Sequence, residues 1–269
     1  MSASWLPGNI SLDKPSVARM YDYFLGGAHN FAIDRQAADQ VVAACLEFPL
    51  AMRANRGFLR RAVRYLLAEG VEQFLDVGSG IPTVGNVHEV AQRVNTAARV
   101  VYVDMDPVAV AHSKSILQGN AQTAIVEADA RYPEQFLRHP DAQRLLDFEQ
   151  PVSLVLVAML HFVTKDEEAY GLVQRMLDAL PSGSYLVLSH GTTEGVPAEV
   201  CSRLEHISRG TSNPMVMRTR AAVERFFGGL LLVEPGVVYT PLWRPEGLDD
   251  LLLEQPELSL ALVGVARKP

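Results

Sequence analysis

The chain has 269 residues, 48% of them hydrophobic, and carries 24 Lys and Arg against 31 Asp and Glu for a formal net charge of -7. That is enough apolar material for one large core, while the acidic balance removes the overall basic field that would draw a nucleic-acid partner. Cys45 and Cys201 lie far apart without metal-ligand spacing, so neither a disulfide framework nor a metal site is expected.

At the amino terminus no basic stretch precedes an apolar run, and later runs such as 152–160 are too short to span a bilayer. A cytoplasmic protein with no membrane partner is expected. Residues 15–27 are aromatic-rich and end in Gly26-Gly27, which predicts a short helix stopped at a flexible joint. Phe58, Leu59, Ala62, Val63, Leu66 and Leu67 then follow i, i+1, i+4, i+5 spacing. This gives an amphipathic helix that packs one stripe on a core and ends at Gly70. Residues 1–70 are expected to form a helical cap on a domain spanning 71–269.

From about residue 71, β-branched runs alternate with helical stretches, the pattern of a parallel sheet covered by helices on both faces. Strands are expected over 71–77, 98–104, 123–128, 152–159 and 184–189. Two more, 230–234 and 258–266, are separated by Pro235, Gly236 and a long loop containing Trp243, so the last strand is free to return antiparallel at or near the sheet edge. Residues 190–217 are rich in Gly, Thr, Ser and Pro with weak periodicity and suggest a lid.

The first strand runs into Asp76-Val77-Gly78-Ser79-Gly80, with a helix expected from Thr83 or Val84. A glycine-rich turn between strand and helix lets the backbone approach an adenosyl cofactor, because no side chain intervenes. A dinucleotide fingerprint needs a third glycine where Thr83 stands, and Asp76 would face an anionic pyrophosphate. At about 4 Å such like charges repel by about 4 kcal/mol in an effective dielectric of about 20. The cationic amino group of S-adenosylmethionine fits that acid better. The plainer alternative is an Asp that only caps local amides.

Asp104 ends the second strand, 24 positions beyond Gly80, where an acid accepts hydrogen bonds from ribose hydroxyls in either cofactor class. Met105 follows it, and Asp106-Pro107 reads as a helix start, with Asp as N-cap and Pro in the first turn. The third strand ends at Asp129-Ala130; Asp129 is a candidate acceptor for an adenine amino group or, more simply, a solvated loop acid.

Asp76 to Gly80, Asp104 and Asp129-Ala130 resemble the cofactor motifs of class I S-adenosylmethionine-dependent methyltransferases, over about residues 71–269. A narrower resemblance, to an actinobacterial family of largely uncharacterised S-adenosyl methyltransferases, rests on the leader from Pro15 through Tyr21 to Gly27, with Asn30-Phe31 and Asp34-Arg35. Asn55-Arg56-Gly57-Phe58, Arg218-Thr219-Arg220 and Trp243-Arg244-Pro245 extend it to nearly the whole chain. The resemblance implies a Rossmann-like seven-stranded, mostly parallel sheet with an antiparallel last strand. It also implies S-adenosylmethionine as cofactor, and Asp76, Gly78, Ser79, Gly80, Asp104, Met105, Asp129, Ala130 and Ala158 are the candidates to surround it. One departure is that the turn continues as Ile81-Pro82-Thr83. Read from the residues themselves, Tyr21, Tyr23, Phe24 and Asn30 are candidates to close over the cofactor or acceptor with Gly26-Gly27 as a joint, the plainer alternative being aromatic core packing.

The fourth strand ends in Ala158-Met159-Leu160-His161, and open α/β sheets bind ligands beyond such strand ends. His161 is therefore the candidate general base for an oxygen nucleophile, its alternative being a pocket wall. His190, ending the fifth strand, reads as structural. The Asn/Asp-Pro-Pro-aromatic signature of nucleic-acid amino methylation is lacking at the fourth strand. A small-molecule acceptor is expected, and a homodimer is left open. Arg53, Arg56, Arg60, Arg61 and Arg64 read as a solvated helix face, and one of them turned inward would point to an acidic acceptor. Competing readings are a module that holds S-adenosylmethionine without turning it over and a nucleotide-dependent oxidoreductase.

Overall fold

Strands that are apolar on both faces have no solvated side to offer and pair as a buried parallel sheet. In the computed structural model, which describes residues 13–83, 85–247 and 251–269, five of them do so: β1 (Gln73–Val77), β2 (Arg99–Asp104), β3 (Thr123–Glu127), β4 (Ser153–Val157) and β5 (Tyr185–Gly191). All are parallel, in the order β3-β2-β1-β4-β5. The order reverses between β1 and β4, which opens a crevice at their carboxyl ends. β8 (Ala261–Arg267) returns antiparallel beside β5.

The sheet has eight strands because the chain pairs twice with β8 on its way back. The run expected over 230–234 pairs only at β6 (Leu231–Leu232), and β7 (Val238–Tyr239) supplies the second contact. Pro235, which has no amide hydrogen, and Gly236 in a left-handed turn at φ +83 interrupt the run between them. β8 starts later than residue 258 because Pro256–Ser259 forms a 3-10 turn ending at Leu260, itself left-handed at φ +55.

Helices cover both faces. On one, α3 (Phe48–Ala68) and α4 (Val87–Val94) bury Phe58, Leu59, Ala62, Val63 and Leu66 against Phe74, Val100 and Val155. On the other, α6 (Pro133–Leu137), α7 (Pro140–Leu145) and α8 (Asp166–Asp178) pack Phe136, Leu145, Leu172 and Met176 against Leu75, Val101 and Leu154. α5 (Pro107–Ile116) places Val108 and Ala109 on Ile81. Asp106 caps α5 as its sequence predicts, accepting from the amides of Val108 and Ala109. Among the described residues, no helix is long and apolar enough to cross a membrane.

α1 (Val17–Phe24), α2 (Ala32–Ala44) and α9 (Ala198–Ser208) share a separate apolar cluster containing Met20, Phe24, Val41 and Leu204. A buried ion pair, Arg19 Nε to Asp34 Oδ2 at 2.8 Å, ties α1 to α2. Asp22 accepts from the His29 amide, the Asn30 side chain and, at 2.7 Å, the Thr83 hydroxyl, joining the leader to the loop after β1.

Three sequence expectations change. The helix after the glycine turn begins at Val87 and not near Thr83; Val84 lies outside the described residues. Its start is set by Asn86, which forms a capping box with Glu89, a stronger N-terminal signal than a Thr followed by a β-branched residue. The expected lid contains an 11-residue helix, α9, because Val200, Cys201, Leu204 and Ile207 form a stripe that packs against the α1–α2 cluster. The arginine face is not wholly solvated either. Arg61 is buried, donating from Nε to the Trp243 carbonyl and from Nη2 to that of Thr240, each at 2.8 Å. It thereby seats Trp243 edge-on against Phe58 at 5.4 Å between ring centres.

Candidate functional site

The turn after β1 needs its glycines for two separate reasons. Gly78 and Gly80 have φ of +74 and +68, a region that costs L side chains about 1–2 kcal/mol. A Cβ at Gly78 would also stand 2.4 Å from Met159 Cγ, so the strand-to-loop crossing leaves no room there. The turn is latched to β2 by Gly78 N donating to the Val103 carbonyl at 2.8 Å and Gly80 N donating to Asp104 Oδ2 at 2.7 Å. Ala158 follows β4 in the left-handed region at φ 57, held by its amide bond to Ser189 Oγ at 2.8 Å. A non-glycine residue there is strain concentrated at the mouth of the crevice.

These elements converge on a cavity of about 280 Å³. Asp76 lines it from β1 and Gly78, Ser79 and Gly80 from the turn that follows; Asp104 from β2 with Met105 just after; Asp129 and Ala130 from the segment after β3; Ala158 and His161 from the segment after β4. Tyr21 lines it from α1. All the candidate residues are thus brought together, as are two that the sequence reading left among structural features: Asn55 and Arg56 of α3.

The electrostatics are uneven. Burial pushes Asp76 up to about 7; the Arg56 guanidinium opposes this and the Asp104 charge adds to it. Burial likewise raises Asp104 to about 6, against hydrogen bonds from the amides of Asp106 and Gly80. Arg56 lies over the Tyr21 ring at 5.4 Å, and the Asn55 side-chain amide donates to the Tyr21 hydroxyl at 3.1 Å. Three buried polar atoms here have no hydrogen-bond partner among the described residues: Asn55 Oδ1, Arg56 Nε and Ser79 Oγ. Buried polar atoms are ordinarily satisfied, so these three, all on residues that line the cavity, are available to a polar ligand.

At the β3 end, Asp129 is gripped by Arg131, whose Nε reaches both carboxylate oxygens. Burial would raise this acid, but the Arg131 hydrogen bonds and charge outweigh it and hold it below the usual range. His161 is different. Its Nδ1 is buried without a partner, and burial, with help from His190 and Arg218, lowers the imidazole to about 3. His190 accepts nothing from the cavity: Nδ1 meets the Gly191 carbonyl at 2.8 Å and Nε2 meets Arg218 Nη1 at 2.6 Å. Arg218 also donates to Asp166 and to the carbonyls of Leu160 and Val163.

The signal for Asn55 and Arg56 was an amide side chain at an apolar-stripe position of a helix, four residues before Leu59. Phe24 of the aromatic leader also lines the cavity, whereas Tyr23 and Asn30 do not; for the rest of the wall no local signal exists, because α1, α2, α3, α9 and the segment 211–217 each contribute only one to five residues.

Residues 3–269 match a family model described as S-adenosyl methyltransferase. Among solved structures, a candidate methyltransferase from Thermobifida fusca YX is 42% identical with a TM-score of 0.91, covering 99% of each chain. A DUF574 family protein from Streptomyces avermitilis MA-4680 is also 42% identical, with a TM-score of 0.87 over 95% of this chain and 98% of that one. The N-methyltransferase NodS from Bradyrhizobium japonicum WM9, solved with S-adenosyl-L-homocysteine, shares the fold at 13% identity and a TM-score of 0.51, covering 93% of this chain and 99% of its own. No curated protein matches the sequence.

Proposed function

The chain belongs to the S-adenosyl methyltransferase family, and from that premise we propose that its cavity binds S-adenosylmethionine and methylates a small molecule seated beside it. The observation that carries this reading is the pairing of an acid, Asp76, with the unpartnered Arg56 Nε and Asn55 Oδ1 next to a glycine turn that admits no Cβ. A zwitterionic amino-acid end satisfies all three at once, whereas a pyrophosphate would meet Asp76 with like charge. Asp76 would hold the ammonium, Arg56 the carboxylate, Asp104 the ribose hydroxyls, and Met105 with Asp129-Ala130 would border the adenine. Tyr21 and Asn55 would close the methionine end.

When bound, S-adenosylmethionine supplies an electrophilic methyl group on a sulfonium. The chain has then mainly to align a nucleophile and exclude water. His161 enters as a hydrogen-bond acceptor: an imidazole lowered to about 3 retains a proton poorly near neutral pH, where an efficient general base has a matching value. It orients an acceptor O–H or N–H, and the proton leaves to solvent as the product departs. Mutation of His161 to Gln, which keeps an acceptor atom, is expected to leave single-turnover methylation within about tenfold of wild type; a loss of about 10² to 10⁴ would instead establish a base. An acceptor panel with S-adenosylhomocysteine as readout separates an enzyme from a module that only holds the cofactor.

Asp104→Asn is expected to weaken S-adenosylhomocysteine binding by about 1.5–3 kcal/mol in calorimetry, since a charged acceptor is lost. Unchanged affinity in the folded variant would remove Asp104 from the site. A pH series tests Asp76 independently. Its acid is raised to about 7, so the free folded protein holds a proton that the unfolded chain has released. The contribution to stability is full below the usual carboxylate range and is lost as pH rises through about 7. Binding an ammonium requires the ionised form, so affinity should increase with pH up to about 7 and then level off. Asp76→Asn should flatten that dependence; a wild-type affinity independent of pH would exclude the Asp76–ammonium contact.

A further inference from the structure

The charge on the cavity wall is confined to one part of it. Arg56, Asp76, Asp104, Asp106, Asp129 and Arg131 are the charged side chains among the described lining residues. They come from α3, from the ends of β1 and β2 and from the segments after β2 and β3. The wall supplied by α1, α2, the start of α3, α9 and residues 211–217 carries none. It presents Phe24, Val41, Phe48, Met52, Leu204 and Ile207. Six of the eight methionines in the sequence line the cavity, Met20, Met52, Met105, Met159, Met215 and Met217, and four of them, Met20, Met52, Met215 and Met217, belong to the apolar cluster of α1, α2 and α9.

Two of the polar side chains on this wall, Ser208 and Thr211, spend their hydroxyls on neighbouring backbone groups. Ser208 Oγ donates to the Glu205 carbonyl and accepts the Met215 amide. Thr211 Oγ1 donates to the Ser208 carbonyl, and Asn213 Oδ1 accepts from Ser212. Among the buried side-chain atoms of the described residues on this side of the cavity, His161 Nδ1 has no partner. Arg218, a buried cation whose charge reaches His161, does not line the cavity and donates to Asp166 and two carbonyls and meets His190. Arg56 turned inward, as an acidic acceptor would require, but it faces Asp76 and Tyr21 at the amino-acid end of the cofactor site.

We propose that the methyl acceptor is an uncharged, predominantly apolar molecule whose alkyl or aryl body lies in the methionine-rich wall between α1, α2 and α9 and whose single O–H or N–H nucleophile is presented to His161. This rests on the methyltransferase reading. A charged acceptor would give up its hydration with no counter-ion on this wall to replace it, while apolar surface gains from burial and methionines adapt to its shape.

Titration calorimetry on the full chain tests this with three phenols as probes, each added to protein saturated with S-adenosylhomocysteine: para-hexylphenol, para-hydroxybenzoate and tyramine. Para-hexylphenol is expected to bind about tenfold or more tighter than either charged phenol. Leu204→Glu should weaken it by about tenfold or more, while S-adenosylhomocysteine affinity stays within about twofold. Should that variant not fold, Ile207→Asn, at a less buried position of the same helix, should shift the preference in the same direction. Equal or tighter binding of para-hydroxybenzoate or tyramine overturns the assignment, as does para-hexylphenol binding that is indifferent to both substitutions. Absence of S-adenosylhomocysteine binding by the wild-type chain would instead overturn the methyltransferase reading, and the acceptor class with it.

Discussion

Replacing Gly78 with alanine is expected to destabilise the protein by about 2–5 kcal/mol and to reduce S-adenosylhomocysteine affinity at least about tenfold. Two penalties add at this position. A left-handed φ of +74 costs an alanine about 1–2 kcal/mol. The new Cβ would lie 2.4 Å from Met159 Cγ and 3.0 Å from its Cβ, contacts close to the methionine backbone that rotation cannot fully relieve, for about 1–3 kcal/mol more. Gly80 has a similar φ but open space around its Cβ, so Gly80→Ala should show the conformational penalty alone. Denaturant unfolding of Gly78→Ala, Met159→Ala and the double variant separates the parts. Trimming Met159 should recover the steric share, seen as a favourable coupling of about 0.5–3 kcal/mol. Strict additivity would show that crowding against Met159 is not the reason for glycine.

Arg218→Met is expected to cost about 3–5 kcal/mol, because one partner of a buried polar network is removed while the others stay buried. The guanidinium serves four groups at once: Asp166 Oδ1 at 2.9 Å, the carbonyls of Leu160 and Val163 at 3.3 and 2.8 Å, and His190 Nε2 at 2.6 Å. Asp166 is 56% exposed and regains water; the two carbonyls and His190 do not. Those carbonyls flank the short turn that carries His161, so the loss should extend to acceptor binding. Lysine keeps the charge but has no planar fork, and Arg218→Lys should recover only part of the stability. Chemical denaturation monitored with para-hexylphenol binding checks both effects. A variant within about 0.5 kcal/mol of wild type, the range of ordinary surface changes, would mean that the network is dispensable.

That Asp76 to Gly80, Asp104 and Asp129-Ala130 would meet at one cavity was legible because each sits at a strand end with a local signal. Asp76 to Gly80 is a strand end and a turn within five consecutive residues, and Asp106-Pro107 carries its own capping chemistry. Their turn and capping character is set by neighbouring residues, even though Met159 and Arg56 add to what Gly78 and Asp76 do. Where local signals competed, the reading failed. Thr83 looked like a helix start, but the Asn86–Glu89 capping box fixes it at Val87, while the Thr83 hydroxyl is engaged by Asp22 from 61 residues away. The region read as a lid kept a four-residue apolar stripe that had no visible partner until α2 packed against it.

What the sequence determined by itself, then, is the alternation of strands and helices, the glycine turn with its two following acids, and the membership that these motifs suggest; each follows from backbone geometry and short-range hydrogen bonding. The tertiary structure alone decided which arginines turn inward, Arg56 toward Asp76 and Arg61 to the Trp243 turn, and that His161 is buried at a cavity lined by six methionines, where burial lowers its imidazole. Those outcomes depend on desolvation and on partners 20 to 182 residues away, and neither quantity is encoded in any local stretch of the chain.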